Sequence, residues 1–247
     1  MGVKYIIQKE DNAAYANYWD GPDKKNYHNS TSREVGQIGE HGPDKDLLAQ
    51  WITKLSSDLE NKTFLEIGTW NGLGSTKCFA DSLRKRDDDY IFYSLECNKE
   101  KCKDAESLYI NDEKIHILNE VIYNDLPDNF YDIYPEARTN SKNKRWVDTD
   151  VSNMKNCSVF LDRTNIPDVF DVILLDGGVF ITYFEYHLLK DRCNYLLLDD
   201  TNIAKNKEMV YEIKSKPNKW KILGEDSSSR NGNLVCQRIY FDVKEND

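Results

Sequence analysis

Residues 64–75 read FLEIGTWNGLGS. Phe64–Ile67 is a short apolar strand that runs directly into three glycines, Gly68, Gly72 and Gly74, with Ser75 placed to cap a following helix. Glycine permits a sharp turn and lets a ligand approach the backbone closely. The helix start beyond such a turn presents free N–H groups to that ligand. Dinucleotide folds space these glycines as G-x-G-x-x-G, whereas here the spacing is G-x3-G-x-G, and Glu66 stands two residues before the first glycine. A carboxylate there opposes a pyrophosphate but can hold an ammonium group. The turn therefore favours a cationic ligand with an amino-acid part over a dinucleotide.

Downstream of this turn, Ser75 to about Leu83 reads as a helix and Tyr90–Leu95 as a second strand ending at Glu96, about 28 residues after Gly68. A carboxylate at a strand end can accept two hydrogen bonds from vicinal ribose hydroxyls. The alternative for Glu96 is an acid favoured by the dipole of the next helix, which runs from Asn98 to Tyr109 and leads to a third strand, Ile115–Leu118. A crossover between parallel strands needs a dozen residues or slightly more. The polar and aromatic stretch 123–168 is far longer, so it reads as an insertion, part of a substrate pocket or a subunit contact. Phe170–Leu175 is continuously apolar, as a strand buried on both faces is. Helix Ile181–Lys190, strand Tyr195–Leu198, helix Lys207–Lys214 and two late strands, Trp220–Leu223 and Leu234–Ile239, complete the order. Alternation of this kind predicts an α/β, Rossmann-like fold with a mostly parallel seven-stranded sheet, helices on both faces and an antiparallel strand near the C-terminus.

Upstream, Pro43 and Asp44 open a helix with Leu47, Leu48, Trp51, Ile52, Leu55 and Leu59 on one face. Residues 1–43 carry no sustained period. They read as an N-terminal arm or lid with one short strand at Lys4–Gln8, its aromatics Tyr15, Tyr18, Trp19 and Tyr27 packing on the body or lining a pocket.

Two further acidic stretches end buried strands: LLDGG, with Asp176, and LLLDDTN, with Asp199 and Asp200. Ligands of open α/β sheets bind beyond the carboxyl ends of the strands. Three carboxylates converging there repel one another unless a positive charge separates them, and an all-oxygen set suits Mg²⁺. Such an ion would orient a substrate hydroxyl and lower its pKa. Without a metal, Asp176 reads as a hydrogen-bond acceptor for substrate and Asp199 and Asp200 as loop caps.

FLEIGTWNGLGS resembles the first motif of class I S-adenosylmethionine-dependent methyltransferases, YSLEC their second, and WKILGED with RNGNLVCQRI the reversed last strand of that fold. The resemblance covers roughly residues 44–240, the methyltransferase domain, which continues to residue 247. It implies that the backbone near Gly68, with Thr69, Asn71, Gly72 and Ser75, holds the methionine part of S-adenosylmethionine beside Glu66. It further implies that Glu96 grips the ribose, that Asn119 and Glu120 flank the adenine, and that Asp176 borders the cofactor. The acidic strand ends resemble those of the metal-dependent, macrocin O-methyltransferase-like enzymes acting on sugars, which implies Asp176, Asp199 and Asp200 as metal ligands. Those enzymes carry a general base two or three residues after the first metal Asp, but here the positions are Gly178 and Val179. Asp176, Tyr183 and His187 are the catalytic candidates, with Glu185, Glu40 and His41 as other sources of a base.

The chain has 247 residues and a formal net charge of −10, which disfavours a polyphosphate partner. Lys142–Arg145, the dense basic run, reads as a solvated loop. No Asn-Pro-Pro-Tyr-like sequence follows the fourth strand. Six cysteines without zinc or redox spacing read as reduced thiols, and the N-terminal residues have no apolar run for a signal or anchor. The expectation is a cytoplasmic O-methyltransferase acting on a hydroxyl of a sugar, nucleotide-sugar or glycan, with no nucleic acid or membrane partner. Homo-oligomerisation stays open. The alternatives are a methyltransferase for another small acceptor without metal, and a catalytically silent cofactor-binding scaffold.

Overall fold

The computed structural model describes residues 37–40, 42 and 45–240. The expected strand at Lys4–Gln8, the aromatics Tyr15, Tyr18, Trp19 and Tyr27, His41, and the helix start at Pro43 and Asp44 lie outside these residues. Helix α1 spans Leu47–Ser57, with Asp46 as its N-cap: the Asp46 carboxylate accepts from the Ala49 amide at 3.0 Å. It stops before Leu59, which is exposed, so Leu59 is not part of the buried stripe.

From there the chain alternates. β1 (Thr63–Ile67), α2 (Ser75–Leu83), β2 (Ile91–Leu95), α3 (Lys99–Tyr109) and β3 (Ile115–Leu118) come first. β4 (Glu120–Val121) leads into the insertion, which holds α4 (Phe130–Ile133), α5 (Glu136–Thr139), α6 (Ser141–Met154) and β5 (Ser158–Val159). β6 (Phe170–Leu175), α7 (Thr182–Leu189), β7 (Cys193–Asp199), α8 (Lys207–Ser215), β8 (Trp220–Asp226) and β9 (Asn233–Arg238) complete it. The main sheet has seven strands in the order β3-β2-β1-β6-β7-β9-β8. All its pairings are parallel except those made by β9, which runs antiparallel to both β7 and β8. This is the sheet expected for the Rossmann-like class I methyltransferase fold.

Strand alternation divides the core into two faces. Phe64, Phe92, Val172, Leu174 and Leu197 pack with α1, α2 and α3 on one face. Leu65, Leu95, Ile173, Leu175 and Leu198 pack with Tyr186, Leu189, Met209 and Ile213 on the other. Successive side chains of a strand point to opposite faces, so central strands covered on both sides must be apolar throughout. Truncating Phe64, which is fully buried, to Ala would cost about 3–5 kcal/mol.

The parallel order places the carboxyl ends of β1, β2, β6 and β7 along one edge of the sheet. The β8–β9 connection reaches that same edge, because Asn233 at the start of β9 pairs with Asp199 at the end of β7. The insertion folds back here as well. β4 and β5 form a separate parallel pair, and Phe130 and Tyr134 pack on Phe180 and Phe184 with ring centroids 5.2–6.3 Å apart. Lys142–Arg145 is not a loop but the first turns of α6, capped by the Asn140 side chain. All six cysteines are free. Among the described residues, no helix is long and apolar enough to cross a membrane.

Candidate active site

The glycine turn is stitched to two neighbouring strand ends. Gly68 and Thr69 donate their amides to the Leu95 carbonyl at 3.0 and 3.2 Å, and the Asp176 amide donates to the Ile67 carbonyl at 2.9 Å. Gly68 has φ +100°, and a Cβ there would lie 2.3 Å from the Asp176 carbonyl oxygen. Only glycine satisfies both constraints. Further round the turn, the Asn71 side chain accepts from the Leu73 amide at 3.2 Å, and Tyr109 donates its hydroxyl proton to the Gly72 carbonyl. The helix cap differs from expectation. Gly74, not Ser75, is the N-cap of α2, and no side chain caps this helix.

Glu66 lies beneath the turn. It is fully buried, and its carboxylate accepts hydrogen bonds from the hydroxyls of Ser75, Thr76 and Ser94. Thr69 shares a hydroxyl hydrogen bond with Ser94. Burial pushes the Glu66 carboxyl up to about 7 against the pull of these hydroxyls, and Asp176 adds to the rise. Glu66 thereby supports the turn from within, a role in which Ser75 also spends its hydroxyl.

Glu96 stands at the mouth of the turn and is only half-buried. One oxygen accepts from the Trp70 amide at 2.7 Å and the other from the Asn98 amide at 2.8 Å. The Cys97 thiol makes a weak third contact, 3.8 Å from the second oxygen; a carboxylate offers about four lone-pair sites, so Glu96 keeps acceptor capacity for a ligand hydroxyl. Burial pushes this carboxyl up to about 7, opposed by the two amides. Asn119 is beside it, its amide nitrogen 2.8 Å from the Glu96 carbonyl and 3.1 Å from that of Cys97. The Glu120 carboxylate is held by Arg163, with nitrogen–oxygen distances of 2.7 and 2.6 Å, and so locks the return of the insertion.

Asp176, Asp199 and Asp200 do converge: one carboxylate oxygen from each lies within 4.8 Å of the others. Two cations already separate them. Lys205 Nζ lies 2.6 Å from Asp176 Oδ1 and 2.7 Å from Asp200 Oδ2. Arg230 donates to Asp199 Oδ1 at 2.7 Å and also to the Asp46 carboxylate. Burial and then the charges of Asp176 and Asp200 push Asp199 up to about 8. Burial also acts upward on Asp200, but Lys205 and Asn231 outweigh it and hold that carboxyl low. The oxygen donors suit a hard dication in type. Their arrangement does not fit one, because the Lys205 ammonium stands between two of the three ligands.

Two further acids, Asp150 and the sequence candidate Glu185, come up to the glycines that follow Asp176. A Cβ on Gly178 would lie 2.9 Å from Asp150 Oδ2, and one on Gly177 would lie 2.8 Å from Glu185 Oε2. Asp150 of α6 and Glu185 of α7 thus fill the space left by two glycines immediately after Asp176. Burial pushes both carboxyls up to about 7. Glu96 raises Asp150 further, while Lys205 acts in the opposite direction on both. Glu185 Oε2 is buried and has no hydrogen-bond partner among the described residues. The signal for Asp150 is its phase. Asn143, Trp146, Val147 and Met154 are the buried residues of α6, and position 150 falls on the same stripe at helical spacing.

The other base candidates stand elsewhere. His187 is exposed near the far end of α7, with Nδ1 3.0 Å from Lys190 Nζ. Burial and then Lys190 lower its pKa, and the charges around it are Lys190, Glu212 and Lys216, none of them part of the acidic cluster. Tyr183 packs edge-on against Tyr134, Phe184 and His187. Glu40 is exposed.

No protein-family model and no curated protein matches this chain. Solved structures do. Cofactor-bound Rv0187 from MTB aligns with a TM-score of 0.50 at 11% identity, over 94% of this chain and 90% of that one. An O-methyltransferase from Bacillus cereus in complex with SAH aligns with a TM-score of 0.48 at 13% identity, over 96% and 94%. A methyltransferase from Geobacter sulfurreducens aligns with a TM-score of 0.47 at 10% identity, over 97% and 100%. At such identities the likeness is one of fold alone.

Proposed function

We propose that this chain is an S-adenosylmethionine-dependent O-methyltransferase acting on a hydroxyl of a sugar, nucleotide-sugar or glycan. The observation that carries this reading is Glu96, a strand-end carboxylate hydrogen-bonded to the Trp70 amide of the glycine turn, with acceptor capacity left for a ribose. Gly68, Thr69, Asn71 and Gly72 shape the turn for the methionine part, Glu66 and Ser75 brace it from below, and Asn119 and Glu120 border the adenine side. S-adenosylmethionine, when bound, supplies a methyl group on a positively charged sulfur, open to in-line displacement.

The chain's own part is to hold both reactants in line and to take one proton. Positioning of this kind supplies much of the rate of a displacement. Asp176 orients the acceptor hydroxyl, and Asp150 accepts its proton. A rim of carboxylates around a lysine suits an acceptor rich in hydroxyls, and the net charge of −10 speaks against a polyanion. The insertion at residues 123–168 forms the acceptor side. A metal ion has no part in this chemistry, because the Lys205 ammonium holds the place between Asp176 and Asp200. The test is methyl transfer to a panel of sugars and nucleotide-sugars, read as S-adenosylhomocysteine release. Transfer to at least one hydroxyl, lost in Asp150→Asn, is the expected result. Transfer only to nitrogen or phenolic acceptors would overturn the acceptor class.

A further inference from the structure

We propose that Lys205 is the resident cation of the acidic cluster: its ammonium takes the place between Asp176 and Asp200 that a divalent ion would need, so the site works without a metal. A hard dication sits about 2.0–2.1 Å from each oxygen ligand when it is Mg²⁺. Lys205 Nζ already makes charge-assisted contacts of 2.6 and 2.7 Å with one oxygen of each carboxylate. An ion bonded to those same oxygens would lie within a few ångströms of a fixed positive charge, where like charges repel strongly away from bulk water.

The lysine is built into this place. After β7, Asp200 takes φ +57° and turns the chain back. The Thr201 and Asn202 amides then bond to the Gly232 and Asn231 carbonyls at 3.0 and 2.7 Å. Ile203 is buried, and fully buried Asn206 donates its side-chain amide to the Asp199 carbonyl. Lys205 is anchored between these two residues, and its own side chain is only 7% exposed. The third carboxylate, Asp199, is neutralised separately by Arg230. Each potential metal ligand is therefore already paired with a protein cation.

The functional half of this inference rests on the O-methyltransferase reading. A fixed ammonium beside Asp176 favours the charge that develops on an acceptor oxygen as it loses its proton, which is the role of an electrophilic ion without the ion. The binding half stands independently of that reading.

The experiment is a Mn²⁺ titration of the full chain, followed by electron paramagnetic resonance and calorimetry. It covers wild type, Lys205→Ala, Lys205→Met, and each lysine variant combined with Asp176→Asn. Met keeps the aliphatic stem, so it guards against loss of packing, and circular dichroism checks folding throughout. Wild type is expected to show no saturable Mn²⁺ binding at millimolar concentration. The lysine variants are expected to gain one Mn²⁺ per chain and to lose it again with Asp176→Asn. The inference is overturned if wild type binds one Mn²⁺ through Asp176, or if folded Lys205 variants gain none. S-adenosylhomocysteine binding is measured on the same samples. Its failure in wild type would remove the methyltransferase reading and leave the Mn²⁺ result standing.

Discussion

Asp150 stands in the space that a side chain on Gly178 would fill: a Cβ built on Gly178 meets Asp150 Oδ2 at 2.9 Å. The acid of an insertion helix thereby reaches a strand end whose own following residues, Gly178 and Val179, cannot take a proton. Two variants test this. Asp150→Asn should lower kcat by roughly 100-fold or more, the usual share of a general base, with S-adenosylhomocysteine affinity unchanged. Gly178→Ala should displace the carboxylate and lower kcat in the same way. With burial and Glu96 holding Asp150 at about 7, and Lys205 opposing them, wild-type kcat should rise with pH to a plateau above neutrality. Wild-type kcat in Asp150→Asn would remove the role.

Gly68 is the tightest point of the site. Its φ of +100° and the 2.3 Å approach of a Cβ to a backbone oxygen leave a side chain no place to go. Gly68→Ala should destabilise the fold by about 3 kcal/mol, in the range of strained-backbone substitutions, and weaken cofactor binding with it. Denaturant melts beside calorimetry check both. A substitution with neither effect would show that the turn is not held against Asp176.

Four carboxyls, Glu66 and Glu185 buried and Glu96 and Asp150 half-buried, make stability depend on pH in a definite direction. Glu66, Glu96 and Glu185 rise from 4.5, and Asp150 from 3.8, to about 7 each, burial being the main cause. Each binds its proton more tightly folded than unfolded. Its contribution is complete below the unfolded value and is lost as pH rises through about 7. The Tm should therefore fall as pH rises from about 4.5 to about 7 and level off above that, and it should fall less steeply in Glu66→Gln. A Tm that is flat or rises over that window would contradict the burial of these groups.

Much of the fold was legible in the sequence, because its strands are buried on both faces. Phe64–Ile67 and Phe170–Leu175 must be apolar at every position but Glu66 and Asp171, and glycines or acids mark where they stop. Glu96 and the three aspartates were legible for the same reason, as charged residues at the ends of apolar runs. The insertion was not. Its helices α4 and α5 have four residues each, too short for a period to register, and β4 and β5 have two each. Asp150 was hidden for another reason: α6 is long but strongly polar, and only the thin stripe Asn143–Trp146–Val147–Met154 carries its phase. Lys205 left no pattern at all, since a single lysine in a polar loop is placed by the Asp200 turn and the burial of Asn206, both tertiary effects. The buried role of Glu66 was equally invisible, because it depends on hydroxyls at Ser75, Thr76 and Ser94 meeting across two strands and a helix.

Cofactor recognition by Glu96 is tested most directly by calorimetry of the full chain and of Glu96→Ala with S-adenosylhomocysteine, with NAD as the control. Wild type should bind S-adenosylhomocysteine and not NAD. Removing the carboxylate should weaken binding roughly 10- to 100-fold, as expected for lost hydrogen bonds to a charged group. Equal affinity in Glu96→Ala, or binding of NAD in place of S-adenosylhomocysteine, would contradict it.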